Sequence, residues 1–282
     1  MSHPVRGASA SRRRALGQHF LADAAVAARI AEAVGATAAD VVCEIGAGTA
    51  ALTAPLAARA GRLVALELDP ALHARLAAGV GRRPNVEVRL ADARRFPYEG
   101  LRALRPMPTG RVLVAGNLPY SASKPILLRL FEARAALDAV TVMLQREVAE
   151  RLTAAPGTRA YGVLSVLWQV WADVALLFTV PPAAFRPPPA VESAVVRAAF
   201  RVEPRVPLAD PAAFVRVVKA GFALRRKTLA NALRAAFPRF GAPGVEATLR
   251  EAGVDGQRRA ESLTASEFAR LAEFFAGRED TW

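Results

Sequence analysis

Short apolar runs alternate with longer amphipathic stretches over the first two hundred residues of the chain. The runs are typical of buried strands, and they are Val41 to Ile45, Leu63 to Leu68, Val86 to Leu90, Val112 to Ala115, Val140 to Leu144, Val174 to Val180 and Ser193 to Phe200. The stretches between them have helical spacing. Alternation of this kind predicts an α/β fold, in which a mostly parallel sheet carries helices on both faces.

After Phe200 the pattern becomes entirely helical. Asp210 followed by Pro211 indicates a helix start, and Thr264 with Glu267 forms a capping box before an amphipathic segment. With further helical stretches at 226–236 and 245–252, this predicts a small all-helical domain of about four helices. We therefore expect a basic N-terminal tail at 1–20, an α/β domain at 21–200 and a helical domain at 201–282.

The composition agrees with a folded protein that has a charged partner. Of 282 residues, 53% are hydrophobic and 22% charged, and the net charge is +13, which is typical of a globular chain. The basic residues are clustered: residues 1–20 hold four Arg and no acid, and residues 201–240 hold nine Lys or Arg against two acids. Nucleic acid would explain two such clusters, although a solvated surface is the alternative.

The numbers of cysteines and histidines and the lengths of the apolar stretches exclude several classes of protein. The single Cys43 forbids an intrachain disulfide or a thiolate metal cluster, and three scattered His make a metal site unexpected. The most apolar stretch, 164–180, contains Gln169 and Asp173 and is too short to span a bilayer. The first residues lack the apolar segment of a secretory signal. We expect a soluble, cytoplasmic protein without a metal.

A glycine-rich turn follows the first buried strand. Gly46, Gly48 and Ala51 form a G-x-G-x-x-A pattern, which lets the backbone approach a ligand and fits NAD as well as S-adenosylmethionine. Glu67 lies at the end of the second strand, where a carboxylate can accept both ribose hydroxyls of an adenosine cofactor. Asp69 is the alternative acceptor.

The third and fourth strands end in polar residues as well. Asp92 could accept from an adenine amino group, or could simply cap a helix. The segment around Asn117, Pro119 and Tyr120 places an amide, a proline and an aromatic ring where α/β sheets bind ligands. The Asn117 amide oxygen and the Pro119 carbonyl could accept hydrogens from an exocyclic adenine amine and localise its lone pair. Tyr120 could stack on the base, and catalysis would need no strong general base.

The motifs together resemble the KsgA-type small-subunit rRNA adenine dimethyltransferases, over residues of about 12 to 270. The segments that carry the resemblance are RRRALGQHFLAD, EIGAGTAALT, AGNLPYSASKPILLRL, VMLQREVAERL, AYGVLSVLWQ, VPPAAFRPPPAVESAVVR and LRRKTLANALR. The resemblance implies a Rossmann-like class I methyltransferase sheet and S-adenosylmethionine as methyl donor. It also implies dimethylation of N6 on two adjacent adenosines near the 3′ end of small-subunit rRNA, within an immature subunit. No protein partner is evident.

The resemblance assigns roles by position. It implies a cofactor pocket lined by His19, Leu21, Gly46, Gly48, Glu67, Asp92 and Asn117. Besides Asn117, Pro119 and Tyr120 it adds Phe185, which would close the other face of the target base. The basic clusters, Arg12, Arg13 and Arg14 with Arg225, Arg226 and Lys227, are expected to contact rRNA phosphates. His19 replaces a frequent Asn, and Ala47 replaces a frequent Pro.

Two other functions remain open at this point. A large-subunit rRNA adenine methyltransferase of the macrolide-resistance type would share the fold and cofactor, but such enzymes tend to carry Ile in place of Leu118. A ribosome-assembly factor that binds RNA without catalysis is the second alternative, and the intact motif residues argue against it.

Overall fold

The computed structural model of the chain describes residues 19–279, with side chains as far as Phe275. The predicted basic tail, including Arg12, Arg13 and Arg14, lies outside the described residues apart from its last two positions. The chain divides into two compact units. One contains the described residues up to Ala149 together with Ala175–Phe200, and the other contains Glu150–Val174 together with the described residues from Arg201 onward.

A seven-stranded mixed sheet forms the centre of the first unit. Its strands are β2 (Val41–Ile45), β3 (Arg62–Glu67), β4 (Val86–Leu90), β5 (Val112–Asn117), β6 (Ala139–Gln145), β7 (Ala172–Val180) and β9 (Ser193–Phe200), in the order β4-β3-β2-β5-β6-β9-β7. Strands β4 to β6 in that order pair in parallel, whereas β9 is antiparallel to β6. The predicted α/β class and mostly parallel sheet are confirmed.

A second, two-stranded sheet joins distant parts of the chain. Strand β1 (Phe20–Leu21) pairs with β8 (Phe185–Arg186) in antiparallel fashion. The sequence patterns did not predict either strand, because two residues are too few for an alternation to be visible. This pairing brings the start of the described chain close to the Pro-rich segment before β9.

Helices follow the strands of the first unit in a regular succession. They are α1 (Ala24–Val34), α2 (Thr53–Ala57), α3 (Pro70–Ala78), α4 (Ser123–Glu132) and α5 (Arg146–Thr153), which crosses into the second unit. Helix α1 begins at Asp23, whose side chain accepts from the Ala25 and Val26 amides, and ends at Gly35 in a left-handed conformation. Its face with Ile30 and Val34 packs into the hydrophobic core beneath the sheet.

The second unit is helical, as predicted for the end of the chain. Its helices are α6 (Val163–Trp171), α7 (Pro211–Ala223), α8 (Leu229–Ala236), α9 (Gly241–Glu251) and α10 (Ala265–Glu279). Asp210 caps α7, and Thr264 and Glu267 exchange the hydrogen bonds of a capping box at α10. Helix α8 begins at Leu229 and not at Arg226, because the Thr228 hydroxyl caps it.

The two compact units do not divide simply at residue 200, where the sequence predicts the domain boundary. Residues Glu150–Val174, including α6, group with the C-terminal helices although they precede β9 in the chain. Trp171 of α6 packs edge-on against Phe214 of α7, with ring centroids 5.5 Å apart. The predicted assignment of separate functions to 21–200 and 201–282 stays a prediction. Among residues 19–279, no helix is long and apolar enough to cross a membrane.

Candidate active site

A cleft lies at the carboxyl ends of β2, β3 and β5 in the first unit. It has a volume of about 330 Å³. Eight predicted site residues line it: His19, Gly46, Gly48, Glu67, Asp92, Asn117, Pro119 and Tyr120. The sheet thus brings together residues that are up to a hundred positions apart, because parallel strands end at the same edge.

The glycine turn after β2 is tied to the neighbouring strand. Gly46 and Gly48 have φ values of +72° and +54°, which favour glycine. The Gly46 and Ala47 amides donate to the Leu66 carbonyl at 2.9 and 3.1 Å. The Gly48 amide donates to Glu67 Oε2 at 2.8 Å. The turn is therefore held in one position without the Pro that Ala47 replaces.

Glu67 is buried and fixed, with 4% of its surface exposed. Besides the bond from Gly48, its Oε1 accepts from the Leu68 and Asp69 amides at 2.8 and 2.9 Å. The alternative acceptor, Asp69, is not part of the cleft wall, and its Oδ1 caps α3 through the Ala71 and Leu72 amides. Of the two carboxylates, Glu67 is the one placed to meet a ligand.

The orientation of the Asn117 amide follows from its hydrogen bond. Its Nδ2 donates to the His19 carbonyl at 2.9 Å, and only the amide nitrogen can donate to a carbonyl. The Oδ1 atom is consequently the side left to accept a hydrogen bond. The preceding Gly116 was not predicted to matter, yet a Cβ there would lie 2.6 Å from the Ile45 carbonyl oxygen, so that β2 and β5 can approach only with glycine at this position.

Tyr120 is held at both ends of its ring. Its hydroxyl shares a 2.7 Å hydrogen bond with Ser193 Oγ on β9, and burial raises the pKa of Tyr120. The His19 ring lies 5.3 Å from the Tyr120 ring at an angle of 35°, and His19 Nδ1 donates to the Pro187 carbonyl at 2.9 Å. His19 therefore links Tyr120 to the Pro-rich segment. The sequence indicates only that His19 replaces a frequent Asn and does not predict this link.

Two predicted residues do not line the main cleft. Leu21 and Phe185 are register partners in the β1–β8 pair, and both belong to the hydrophobic core with 5% and 0% of their surfaces exposed. Leu21 does line a small adjoining cavity under the glycine turn. The Phe185 ring has no surface with which to contact a base in this arrangement, so the predicted contact would require it to leave the core.

Asp92 is paired with a residue that sequence reasoning missed. Arg94 binds its carboxylate side by side, with Nε to Oδ1 at 2.9 Å and Nη2 to Oδ2 at 2.6 Å, and the Arg94 amide donates to Oδ1 at 2.9 Å. The side-chain hydrogen bonds from Arg94 lower the pKa of Asp92. No helix follows directly, so Asp92 caps a turn and not a helix.

Glu44 is a further buried acid beside the cleft. It is 1% exposed, its Oε2 has no hydrogen-bond partner within the described part of the chain, and it lines the small cavity under the glycine turn. Burial raises the pKa of Glu44 to about 8. The side chain is thus mostly neutral near pH 7. An acid inside the apolar run VVCEI was the available signal, since a buried strand rarely carries one.

The second basic cluster lies between α7 and α8 of the helical unit. Arg225 donates to the Arg159 carbonyl, and its Nε lies 3.7 Å from Glu261. Arg226 and Lys227 are exposed and form no ion pair among the residues that the structure describes. The cluster therefore contains two kinds of cation: Arg225 is held by contacts within the protein, and the other two are exposed to solvent.

Comparison with known proteins agrees with these motifs. The family model for ribosomal RNA adenine dimethylases matches residues 9–277. The chain is 45% identical to the ribosomal RNA small subunit methyltransferase A of Magnetococcus marinus, over 91% of this chain and 89% of the relative. A dimethyladenosine transferase from Plasmodium falciparum has the same fold, with a TM-score of 0.74, 21% identity and coverage of 93% and 98% of the two chains.

The fold and the cleft define a Rossmann-like methyltransferase. The chain belongs to the ribosomal RNA adenine dimethylase family. It is also similar to the 23S rRNA methyltransferase ErmE, at 27% identity over 91% of this chain and 99% of that one, with a TM-score of 0.64. The lower identity places the large-subunit alternative further away than the small-subunit relatives.

Proposed function

We propose that this protein transfers methyl groups from S-adenosylmethionine to N6 of adenosines in small-subunit rRNA and dimethylates each of them. The observation that carries the proposal is the Asn117 side chain at the cleft wall, whose amide nitrogen donates to the His19 carbonyl and whose oxygen is left as the acceptor. An acceptor fixed in advance at this place suits a base that presents an NH₂ group.

The residues of the cleft fit such a donor. Glu67 is a buried carboxylate with acceptor capacity left for ribose hydroxyls, and Asp92 lies further along the same wall. The glycine turn between them and Asn117 lets the backbone approach a ligand closely. The donor supplies an electrophilic methyl group on its sulfonium centre.

The chain's own groups activate the target amine. The exocyclic nitrogen of adenine is a poor nucleophile because its lone pair is delocalised into the ring. The Asn117 Oδ1 and the Pro119 carbonyl accept its two hydrogens and favour a tetrahedral nitrogen, whose lone pair is localised. Tyr120, oriented by Ser193, stacks on the base. Methyl transfer would form the nitrogen–carbon bond as the carbon–sulfur bond of the donor breaks and S-adenosylhomocysteine leaves, and the ammonium would then lose its proton to water, so catalysis depends on positioning.

We infer that the methylated bases are two adjacent adenosines near the 3′ end of the rRNA. We further infer that the protein meets them in an immature small subunit in the cytoplasm. The exposed Arg226 and Lys227 support a phosphate contact, because exposed cations can pair with the RNA backbone, whereas Arg225 is already bonded to the Arg159 carbonyl. Arg12, Arg13 and Arg14 are proposed to add to this contact.

A methylation assay tests the proposal. The full chain is incubated with labelled S-adenosylmethionine and either immature small subunits or protein-free large-subunit rRNA. The expected result is dimethyladenosine in the small-subunit rRNA, detected by mass spectrometry and absent with Asn117→Ala. Methylation of large-subunit rRNA alone would instead favour an ErmE-like activity, and failure of wild-type protein to bind the donor in calorimetry would favour a non-catalytic assembly factor.

A further inference from the structure

Arg94 forms the most complete side-chain pairing on the cleft wall. Both its side chain and that of Asp92 line the cleft. Their contact has the side-by-side geometry of a guanidinium with a carboxylate, and the backbone amide of Arg94 adds a further donor. The Asp92 side chain is 22% exposed and the Arg94 side chain 50%.

The acceptor positions of Asp92 can be counted. A carboxylate offers about four lone-pair positions. Oδ1 receives the Arg94 amide and Nε, while Oδ2 receives Nη2 and a longer, 3.0 Å contact from Nε. The single Nε hydrogen is shared between the two oxygens, so Arg94 supplies three hydrogens to the four positions and leaves one position at Oδ2 for a further hydrogen-bond donor. An amino group can donate a hydrogen bond to this position, whereas a carbonyl oxygen would be repelled by the carboxylate oxygen.

A stabilising role alone explains this pairing poorly. An ion pair whose cation is half exposed and screened by water contributes little to folding. The position of the pair in the cleft gives it a larger effect on ligand recognition, because a carboxylate held in one orientation loses little freedom when a ligand binds.

We propose that Arg94 is a positioning residue that holds the Asp92 carboxylate in one orientation, and so makes the cleft select a 6-aminopurine donor over a 6-oxopurine one. This inference depends on the proposed function, since it assumes that Asp92 faces the adenine of the methyl donor. It adds a specificity determinant outside the residues that the motifs identify.

Calorimetric titration of the full chain with S-adenosylhomocysteine and S-inosylhomocysteine tests the inference. These ligands differ in having an amino or an oxo group on the purine, and they need no turnover. Wild type should prefer the adenosyl compound, and Arg94→Leu should reduce the ratio of the two dissociation constants about five-fold. Arg94→Lys, which keeps a cation but cannot make the side-by-side contact through two nitrogens, should restore part of the preference.

Arg95→Leu is the matched control, because it removes the same charge one residue away, and no hydrogen bond joins Arg95 to Asp92 among the described residues. Its preference should equal that of wild type. The inference is overturned if Arg94→Leu keeps the full preference, if Arg95→Leu loses as much, or if wild type binds both ligands equally. In the last case adenosyl binding would still support the donor site, whereas no binding by wild type would contradict the proposed function itself.

Discussion

The cleft of the first unit and the basic cluster of the helical unit are built in different ways. In the cleft, Glu67 and Asn117 each have a hydrogen-bond partner that fixes which atoms face the ligand. In the helical unit, Arg226 and Lys227 are exposed and form no ion pair among the residues that the structure describes. Geometry can therefore assign chemistry in the first region, whereas the second offers only charge.

This difference shows where function can be argued from structure. A buried polar group is costly unless it is paired, so its partners reveal its orientation. An exposed cation has no such constraint, and its role depends on what approaches it. Substitutions in the constrained region, the cleft, are therefore expected to have the largest effects.

Asn117→Ala should lower kcat about 10² to 10³-fold while leaving donor affinity within a few-fold of wild type. The reason is that the amide oxygen accepts from the amine most strongly in the transition state. Single-turnover rates on rRNA and calorimetry with S-adenosylhomocysteine measure the two effects. Asn117→Asp keeps an acceptor but loses the bond to the His19 carbonyl, and it should be intermediate. A change confined to KM would contradict the proposed role.

Gly116→Ala should destabilise the first unit by about 3 kcal/mol, because a Cβ would lie 2.6 Å from the Ile45 carbonyl oxygen and force β2 and β5 apart. Urea denaturation measures the free energy of unfolding. Gly100→Ala is the control, since nothing lies within 4 Å of a Cβ there. Equal stability of the two variants would mean that the strands can adjust, and that Asn117 is less rigidly placed than its contacts indicate.

The strand ends and the loop at Asn117 to Tyr120 could be predicted from sequence because they are local. A glycine turn after a buried run, or an Asn-Leu-Pro-Tyr segment at a strand end, specifies its own place at the edge of a parallel sheet. The burial of Phe185 and the Arg94–Asp92 pair could not be predicted, since the first depends on the two-residue β1–β8 pairing and the second on a side-chain rotamer. The grouping of Glu150–Val174 with the C-terminal helices also arises only from tertiary packing.

Glu67→Ala should weaken S-adenosylhomocysteine binding by about 2 kcal/mol, the value expected when hydrogen bonds to a charged group are lost. The same variant should also lower stability, because the Gly48, Leu68 and Asp69 amides lose their acceptor. Asp69→Ala separates the two effects: it removes the α3 cap and should reduce stability with unchanged affinity. If Asp69→Ala weakened binding and Glu67→Ala did not, the ribose contact would belong to Asp69.

Glu44→Gln should make the free energy of unfolding less dependent on pH. Burial raises the pKa of Glu44 to about 8 in the folded protein, against about 4.3 in an unfolded chain. Between these values the folded state keeps a proton that the unfolded state loses, so stability falls as pH rises through that window. The neutral Gln avoids this cost, so the free energy of unfolding of the variant should fall less than that of the wild type between pH 5 and pH 8. Parallel curves for the two proteins would contradict this.

The smallest effects are expected in the basic cluster. Single substitutions there can show how much each cation contributes to RNA binding. Arg226→Ala and Lys227→Ala should each reduce the slope of log K against log salt for rRNA binding by up to about 0.7 to 0.9, one phosphate contact each. Arg225→Ala should change the slope less, because Arg225 is already bonded to the Arg159 carbonyl and lies near Glu261. Filter binding at several salt concentrations measures the slopes. Equal slopes for all three variants and wild type would mean that these cations are only solvated, and that the charge of this unit does not identify its partner.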